Sequence, residues 1–446
     1  MTSQPSIVIL VEGKELTRWT SFTLTKSMDE LSHSFTATLT APPDNFDVSD
    51  WWLIELGDNC EIYLLGQPAM YGWIEECQMN YNDNVHQITI SGRDPLCDLV
   101  DCSHAPGALI GTALSRGRGG FGIISQEAYA PKRQDWIGIS PALILKELCI
   151  PFNITVVIPD YLKETMDIPI NEEFKTNEGD TIFDAISRIC QFKGVIPLSS
   201  GFLELHIRRE PTDRAVTPLK TGYNILEAAS DESNVERFSN YVVKANQEGE
   251  DLLDVTSTAG SKGEATDSRI TRYRPLIIMS DMSANDEECK IQAQWESVTR
   301  AGSMREITYV VTGWTQSDGT LWNINKLVEV DDSIFNFHSI PSASEETSVG
   351  YRSRSGGTDF IRSVTNPVIS GFPVGSIIKA IKFSFDEKEG SLTYITITDS
   401  TAYYLFPDAG AIKGSKNADS EDLTGLLEEK RQELADALEE AEERTR

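Results

Sequence analysis

Apolar and polar residues alternate through much of the first hundred positions. Ser21–Lys26 (SFTLTK) and Ser34–Thr40 (SFTATLT) place every second residue on one face, which is the period of a half-buried strand. The pattern predicts further strands at Trp52–Leu56, Glu61–Leu65, Gly72–Tyr81 and Val85–Ser91, with an NDN turn between the last two. Residues 1–97 therefore read as a small antiparallel barrel or sandwich.

The period then changes. Ser140-Pro141 offers an N-cap and a proline at the first helical turn. Ile144, Leu145 and Leu148 share one face, and Pro151 stops the helix. A second helix starts at Asp180 or Thr181, carries Ile182, Ala185, Ile186, Ile189 and Cys190 at helical spacing, and closes at Gly194. Strands at Asn153–Ile158, Val195–Leu198 and Phe202–Ile207 flank these helices, so residues 98–215 form an α+β unit.

Strands return over 216–410, at Asn240–Asn246, Pro275–Met279, Ile307–Thr312, Leu327–Val330, Ile377–Phe385 and Leu392–Thr398. One helix, Asn285–Arg300, interrupts them, and Ile291, Trp295 and Val298 are its predicted buried stripe. Thr256–Ser268 and Ser342–Gly357 are rich in Ser, Gly and charge and read as mobile loops. Residues 411–446 read as an acidic linker and a helix. Leu423, Leu427, Leu434 and Leu438 give that helix a narrow apolar seam, a candidate docking face for a partner. The fold class is α+β: two antiparallel β-barrel domains, an intervening α+β domain and a C-terminal helix.

The two β-regions echo each other. FTATLT leads to LIEL in the first, and ITYVVT leads to LVEV in the second. Each continues to a glycine that opens a long hairpin, where QITIS (87–91) and YITIT (394–398) take the same place. Two copies of one barrel per chain are predicted. A closed ring of such chains would carry twice as many equivalent positions as chains.

Charge narrows the function. The chain has 69 acidic and 39 basic residues and a formal net charge of −30. Wrapping nucleic acid needs a basic surface, whereas an acidic wall lets a phosphate backbone pass without sticking. No apolar run is long enough to span a bilayer, and the N-terminus has no basic start. The chain is expected to be made in the cytoplasm without inserting into a membrane. Seven cysteines, an odd number without a CxxC pair, fit a reducing compartment.

Candidate chemistry is thin. Ser91–His104 (SGRDPLCDLVDCSH) gathers Cys97, Cys102 and His104. Zinc needs four ligands, commonly in paired short spacings, and no second pair lies nearby. The segment reads instead as a short helix, with Asp94 as N-cap, Pro95 at the first helical position, and Leu96, Leu99 and Val100 on one face. Gly117, Gly119 and Gly122 match G-x-G-x-x-G by letter, but the motif binds dinucleotides only between a strand and a helix. No catalytic, cofactor or metal residues are assigned.

Six stretches carry a family resemblance: ITISGRDPLCDLVDCS, SPALILKELCIPFNITV, GDTIFDAISRICQFKGVIPLSSGFLEL, RYRPLIIMSD, AQWESVTRAGSMREITYVVTGWTQSDGTLWNINKLVEVDD and IKAIKFSFDEKEGSLTYITITD. In this order they resemble the Mu-type baseplate hub proteins of contractile phage tails. The resemblance implies a virion structural protein, assembled in the host cytoplasm as a homotrimer. It implies a six-fold-like ring that joins the tail tube protein to the central spike protein, touches other baseplate proteins, and lets DNA pass without binding it. The family supplies no catalytic residues. A hub of a type VI-like injection system is the alternative reading, and a tail-associated cell-wall hydrolase is a more distant one. The loop 342–357 and the chain beyond 420 have no counterpart in the family pattern.

Overall fold

The computed structural model describes residues 7–16, 19–41, 54–81, 86–104, 114–117, 120–123, 134–170, 173–245, 261–280, 286–335, 337–339, 347–348, 363–364 and 375–403. Met1–Leu405 form one compact unit; Phe406–Arg446 count as a second and lie outside the described residues. The predicted terminal helix with Leu423, Leu427, Leu434 and Leu438 falls there, and nearly all of loop 342–357 is also outside.

The first region contains β1 (Ile7–Val11), β2 (Lys14–Leu16), β3 (Ser21–Ser27), β4 (Ser34–Ala41), β5 (Asn59–Leu64), β6 (Gln67–Tyr81) and β7 (His86–Arg93). Their apolar residues alternate inward as the period predicts, with Phe22, Leu24, Phe35, Ala37, Ile62, Leu64, Ile88 and Ile90 all buried. Ile54 and Glu55, predicted as part of a strand, are irregular. A five-residue helix, α1 (Cys97–Asp101), follows β7.

The middle region holds β8 (Asp135–Ile137), α2 (Pro141–Cys149), β9 (Thr155–Val157), α3 (Asp160–Asp167), β10 (Glu173–Lys175), α4 (Ile182–Lys193), β11 (Ile196–Ser199) and β12 (Glu204–Arg208). Helix α4 starts with a capping box in which Thr181 and Asp184 satisfy each other's backbone N–H groups. It ends at Gly194 with φ 61°, a left-handed cap that suits glycine. The buried stripe Ile182, Ala185, Ile186, Ile189 and Cys190 is the predicted one. It packs with Ile144, Leu145 and Leu148 of α2 into a core that also takes in Leu31, Leu96 and Leu99.

The last region contains β13 (Asp213–Arg214), β14 (Ile225–Glu232), β15 (Asn240–Ala245), β16 (Lys262–Thr266), β17 (Pro275–Ser280), α5 (Asp286–Gly302), β18 (Arg305–Thr312), β19 (Lys326–Leu327), β20 (Ser376–Asp386) and β21 (Gly390–Asp399). The stripe predicted for α5 is corrected. Cys289 and Ala293 are its buried apolar side chains and pack on Tyr241 and Val243, while Ile291 is 46% exposed. The helix lies too close to β16 for large side chains. A Cβ on Gly263 would come within 2.1 Å of the Cys289 backbone.

The expectation of two closed barrels is also corrected. Among the described residues, β1–β7 of the first region and β13, β14 and β18–β21 of the last belong to one open thirteen-stranded sheet, ordered β14-β18-β21-β20-β3-β4-β7-β6-β5-β1-β2, with β13 and β19 branching at β20, while β15, β16 and β17 form a separate three-stranded sheet. The link is β20 on β3, antiparallel from Ala380↔Ser27 to Asp386↔Ser21. Phe383 opposite Leu24 and Phe385 opposite Phe22 are buried in this seam.

Candidate assembly site

The echo in the sequence is an echo in the sheet. Strands β3-β4-β7-β6 and β14-β18-β21-β20 run in the same order, each pair antiparallel. Each copy has a β-bulge at the same place. Glu75 is the extra residue between Ile74 and Glu76 of β6, and Lys379 is the extra residue between Ile378 and Ala380 of β20. The residue before each bulge accepts a backbone hydrogen bond from the neighbouring chain segment: Gly57 N–H to the Ile74 carbonyl at 2.7 Å, Asn325 N–H to the Ile378 carbonyl at 2.9 Å. These markers align Phe35 with Ile307, as FTATLT and ITYVVT do in the sequence. They set QITIS and YITIT two residues out of step, because Ile90 takes the place of Ile395.

Both bulged residues are charged, with opposite signs. Glu75 receives two hydrogen bonds at 2.7 Å from the Arg93 guanidinium, which also meets Asp101. Lys379 lies 2.6 Å from Asp29 and also contacts Glu306. Opposite the first bulge the strand must carry glycine, since a Cβ on Gly92 would sit 1.8 Å from the Trp73 carbonyl oxygen.

Asp94 follows Gly92-Arg93 and joins the first and middle regions. Its carboxylate is fully buried. It accepts hydrogen bonds from Ser199 Oγ at 2.6 Å, Ser32 Oγ at 3.0 Å, His33 N–H at 3.0 Å and Leu96 N–H at 3.1 Å. Four donors, three of them from two distant parts of the chain and one from the adjoining turn, thus close on one group. Because it turns back to Leu96, helix α1 begins at Cys97, two residues beyond the predicted start. Burial dominates its titration, raising the pKa to about 6 against the pull of the four hydrogen bonds. Burial lowers buried Lys26 to about 8, with the Asp94 charge opposing. Burial, and then the Lys26 charge, push His33 down to about 3, with the hydrogen bond its ring donates to the Ser199 backbone opposing.

The residues that suggested metal or nucleophile chemistry are placed apart in role. Cys97 is buried and its thiol is pushed up to about 12, first by burial and then by Asp98. Cys102 is exposed. His104 bonds Thr176 Oγ1 through Nδ1 at 2.8 Å and packs on Trp136. Among the described residues no three His, Cys, Asp or Glu side chains come together as metal ligands would. The glycine-rich stretch pairs Leu114–Gly117 with Gly120–Ile123, strand on strand, so Gly117 and Gly122 lie in paired strands. Sequence reading found Asp94 as a cap but missed Ser32, His33, Ser199 and Lys26. Their convergence is long-range and leaves no local pattern.

Two edges of the repeated sheet are open. Strand β14 pairs only with β18, and β6 beyond Glu75 pairs only with β7, among the described residues. Glu76, Gln78, Met79 and Asn80 are exposed, as is β14 at all positions except half-buried Ile225 and Ser230.

Comparison with known proteins places this arrangement. Residues 6–94 match the N-terminal domain of the Mu phage baseplate assembly protein GpP-like family, 128–209 the second domain of baseplate hub protein gp44-like proteins, and 285–338 the fourth domain of Mu GpP. The baseplate hub protein gp44 of Escherichia phage Mu is 28% identical over 332 residues, 74% of this chain and 79% of that protein. The 43 kDa tail protein of prophage MuSo2 from Shewanella oneidensis superposes with TM-score 0.65 at 25% identity, covering 90% of this chain and 99% of that one. A tail protein from Neisseria meningitidis superposes with TM-score 0.63 at 18% identity, over 90% and 100% of the two chains. With its domains matched in order along the chain, this protein belongs to the Mu-type baseplate hub family of contractile phage tails.

Proposed function

We propose that the protein is the structural hub of a contractile-tail baseplate, a homotrimeric ring that connects the tail tube to the central spike and lines the DNA channel. One observation carries this reading: the chain repeats a four-stranded sheet unit and joins the two copies edge to edge. Three such chains present six nearly equivalent units, which suits a ring set between sixfold and threefold partners. The net charge of −30 suits a wall past which DNA slides without adhering. In this reading residues 1–97 and 216–410 supply the ring, 98–215 flank it, and 411–446 form an appendage whose Leu423, Leu427, Leu434 and Leu438 dock on a partner. The role is mechanical, with no reaction assigned. Light scattering combined with electron microscopy tests it. A threefold ring with a central opening is expected, and a monomer at high protein concentration refutes it.

A further inference from the structure

The two copies of the sheet unit differ most at one turn. Residues 28–33 join β3 to β4, whereas residues 233–304 join β14 to β18. The longer connection is pinched at its base, where Ser233 N–H donates to the Met304 carbonyl at 2.8 Å. Beyond that point β16, β15 and β17 form their own sheet in that order, with α5 packed on one face. We infer that β17 takes an added strand from another protein, an extended segment in which alternating apolar residues are followed by acidic ones.

The edges of this small sheet are unequal. Strand β16 exposes Lys262, Glu264 and Thr266, and charge on an edge discourages further pairing. Strand β17 reads PLIIMS and carries no charge. Among the described residues it pairs only with β15, in parallel from Asn240↔Pro275 to Ala245↔Ser280. Leu276 and Ile278 pack inward on Tyr241, Val243, Cys289 and Ala293. Ile277 and Met279 stand on the opposite face, 61% and 57% exposed, and Val242 lies beside Ile277 there. An apolar edge with unpaired N–H and C=O groups is a template for strand addition.

Charge sets the character of the partner. The connection leading into β17 holds Arg269, Arg272 and Arg274, and no Asp or Glu occurs from 268 to 280. The nearby acids are taken: Asp267 pairs with buried Arg237, Glu264 with Lys262, and Glu236 with Arg300. Arg274 lies over the Phe238 ring at 4.8 Å. Arg269 and Arg272 are exposed and make no ion pair among the described residues, and Tyr273 is 89% exposed. In a chain of net charge −30 this is a local excess of cations, and it attracts carboxylates. Antiparallel pairing is the more stable kind. A strand running antiparallel to β17 ends beside Arg269 and Arg272, so its acids follow its apolar residues.

A fluorescein-labelled peptide, Thr-Val-Thr-Val-Thr-Val-Glu-Asp-Glu, tests this by anisotropy on the full-length chain, and saturable binding is expected. Moving its acids ahead of the valines, or making Arg269→Glu with Arg272→Glu, is expected to weaken binding by about tenfold or more, since each charge-assisted contact is worth about that much. Both arginines are exposed, and an unchanged unfolding midpoint confirms that the double variant folds. An edge strand bonds the sheet through every second residue. N-methylation of alternate peptide nitrogens is therefore expected to abolish binding in one phase and spare it in the other. No binding to wild type, equal binding in both phases, or binding unchanged in the double variant overturns the inference. Oligothymidylate that displaces the peptide also overturns it, by assigning the cations to nucleic acid. Hydrogen exchange locates the contact: amides of residues 276–280 gain protection with the peptide. The same protection gained by the protein alone on concentration assigns the edge to a second copy and overturns the inference, leaving the ring reading untouched.

Discussion

The buried cluster of Asp94, Lys26 and His33 predicts an unusual pH response. His33 is refused its proton by the fold, with a pKa near 3 against 6.5 when unfolded. A depressed histidine contributes stability above the unfolded pKa and loses it as pH falls toward the folded one, since the unfolded chain takes up the proton first. Between about pH 6.5 and 4.5 that loss is about 2.7 kcal/mol, at about 1.36 kcal/mol per pH unit. Asp94 works in the opposite sense. Its pKa is raised from 3.8 to about 6, so the folded state binds a proton that the unfolded state still lacks, and stability rises as pH falls through that window. From about pH 6 to 4.5 the gain is about 2 kcal/mol. The two nearly cancel in the native protein and separate in variants. His33→Gln relative to wild type is expected to improve by about 2.7 kcal/mol between about pH 7 and 4.5, and Asp94→Asn to worsen by about 2 kcal/mol. Urea midpoints followed by tryptophan fluorescence at the two pH values measure both. Differences that stay flat with pH, or that share a sign, would show that these side chains titrate as though exposed.

Other substitutions probe separate parts of the frame. Gly92→Ala drives a Cβ into the Trp73 carbonyl and should cost about 3 kcal/mol or more, read as a lowered unfolding midpoint; an unchanged midpoint refutes the close approach. Ser199→Ala removes the 2.6 Å bond to Asp94 and should cost about 1–3 kcal/mol in urea, with trypsin opening the linkage of the first and middle regions earlier than in wild type. Glu75→Ala breaks the pairing with Arg93, whose side chains are about a third exposed, so a loss of only about 0.5–1 kcal/mol, reduced in high salt, is expected.

Local pattern found the elements whose reasons are local. Strands β3 and β4 alternate cleanly, and α4 carries its cap, stripe and terminal glycine within fourteen residues of chain. Where the deciding contact is distant, the reading slipped. In α5 both Ile291-Trp295-Val298 and Cys289-Ala293 have helical spacing, and hydrophobicity favours the larger set. Close packing against Gly263 favours the smaller one. The barrels misled for a similar reason. Alternation says which face of a strand is buried but not which edge it shares, and β20 meets β3 across most of the chain length. Asp94 was legible as a turn-forming acid, yet the residues that make it a joint come from three separate stretches.

The paired bulges have a consequence for recognition. Backbone geometry repeats twice per chain, but Glu75 stands where the other copy has Lys379. In the proposed ring of three chains, main-chain shape would return every sixty degrees on average and the sign of charge only every hundred and twenty. A sixfold tube could be read by contour and a threefold spike by charge, so that one surface speaks two symmetries to two neighbours.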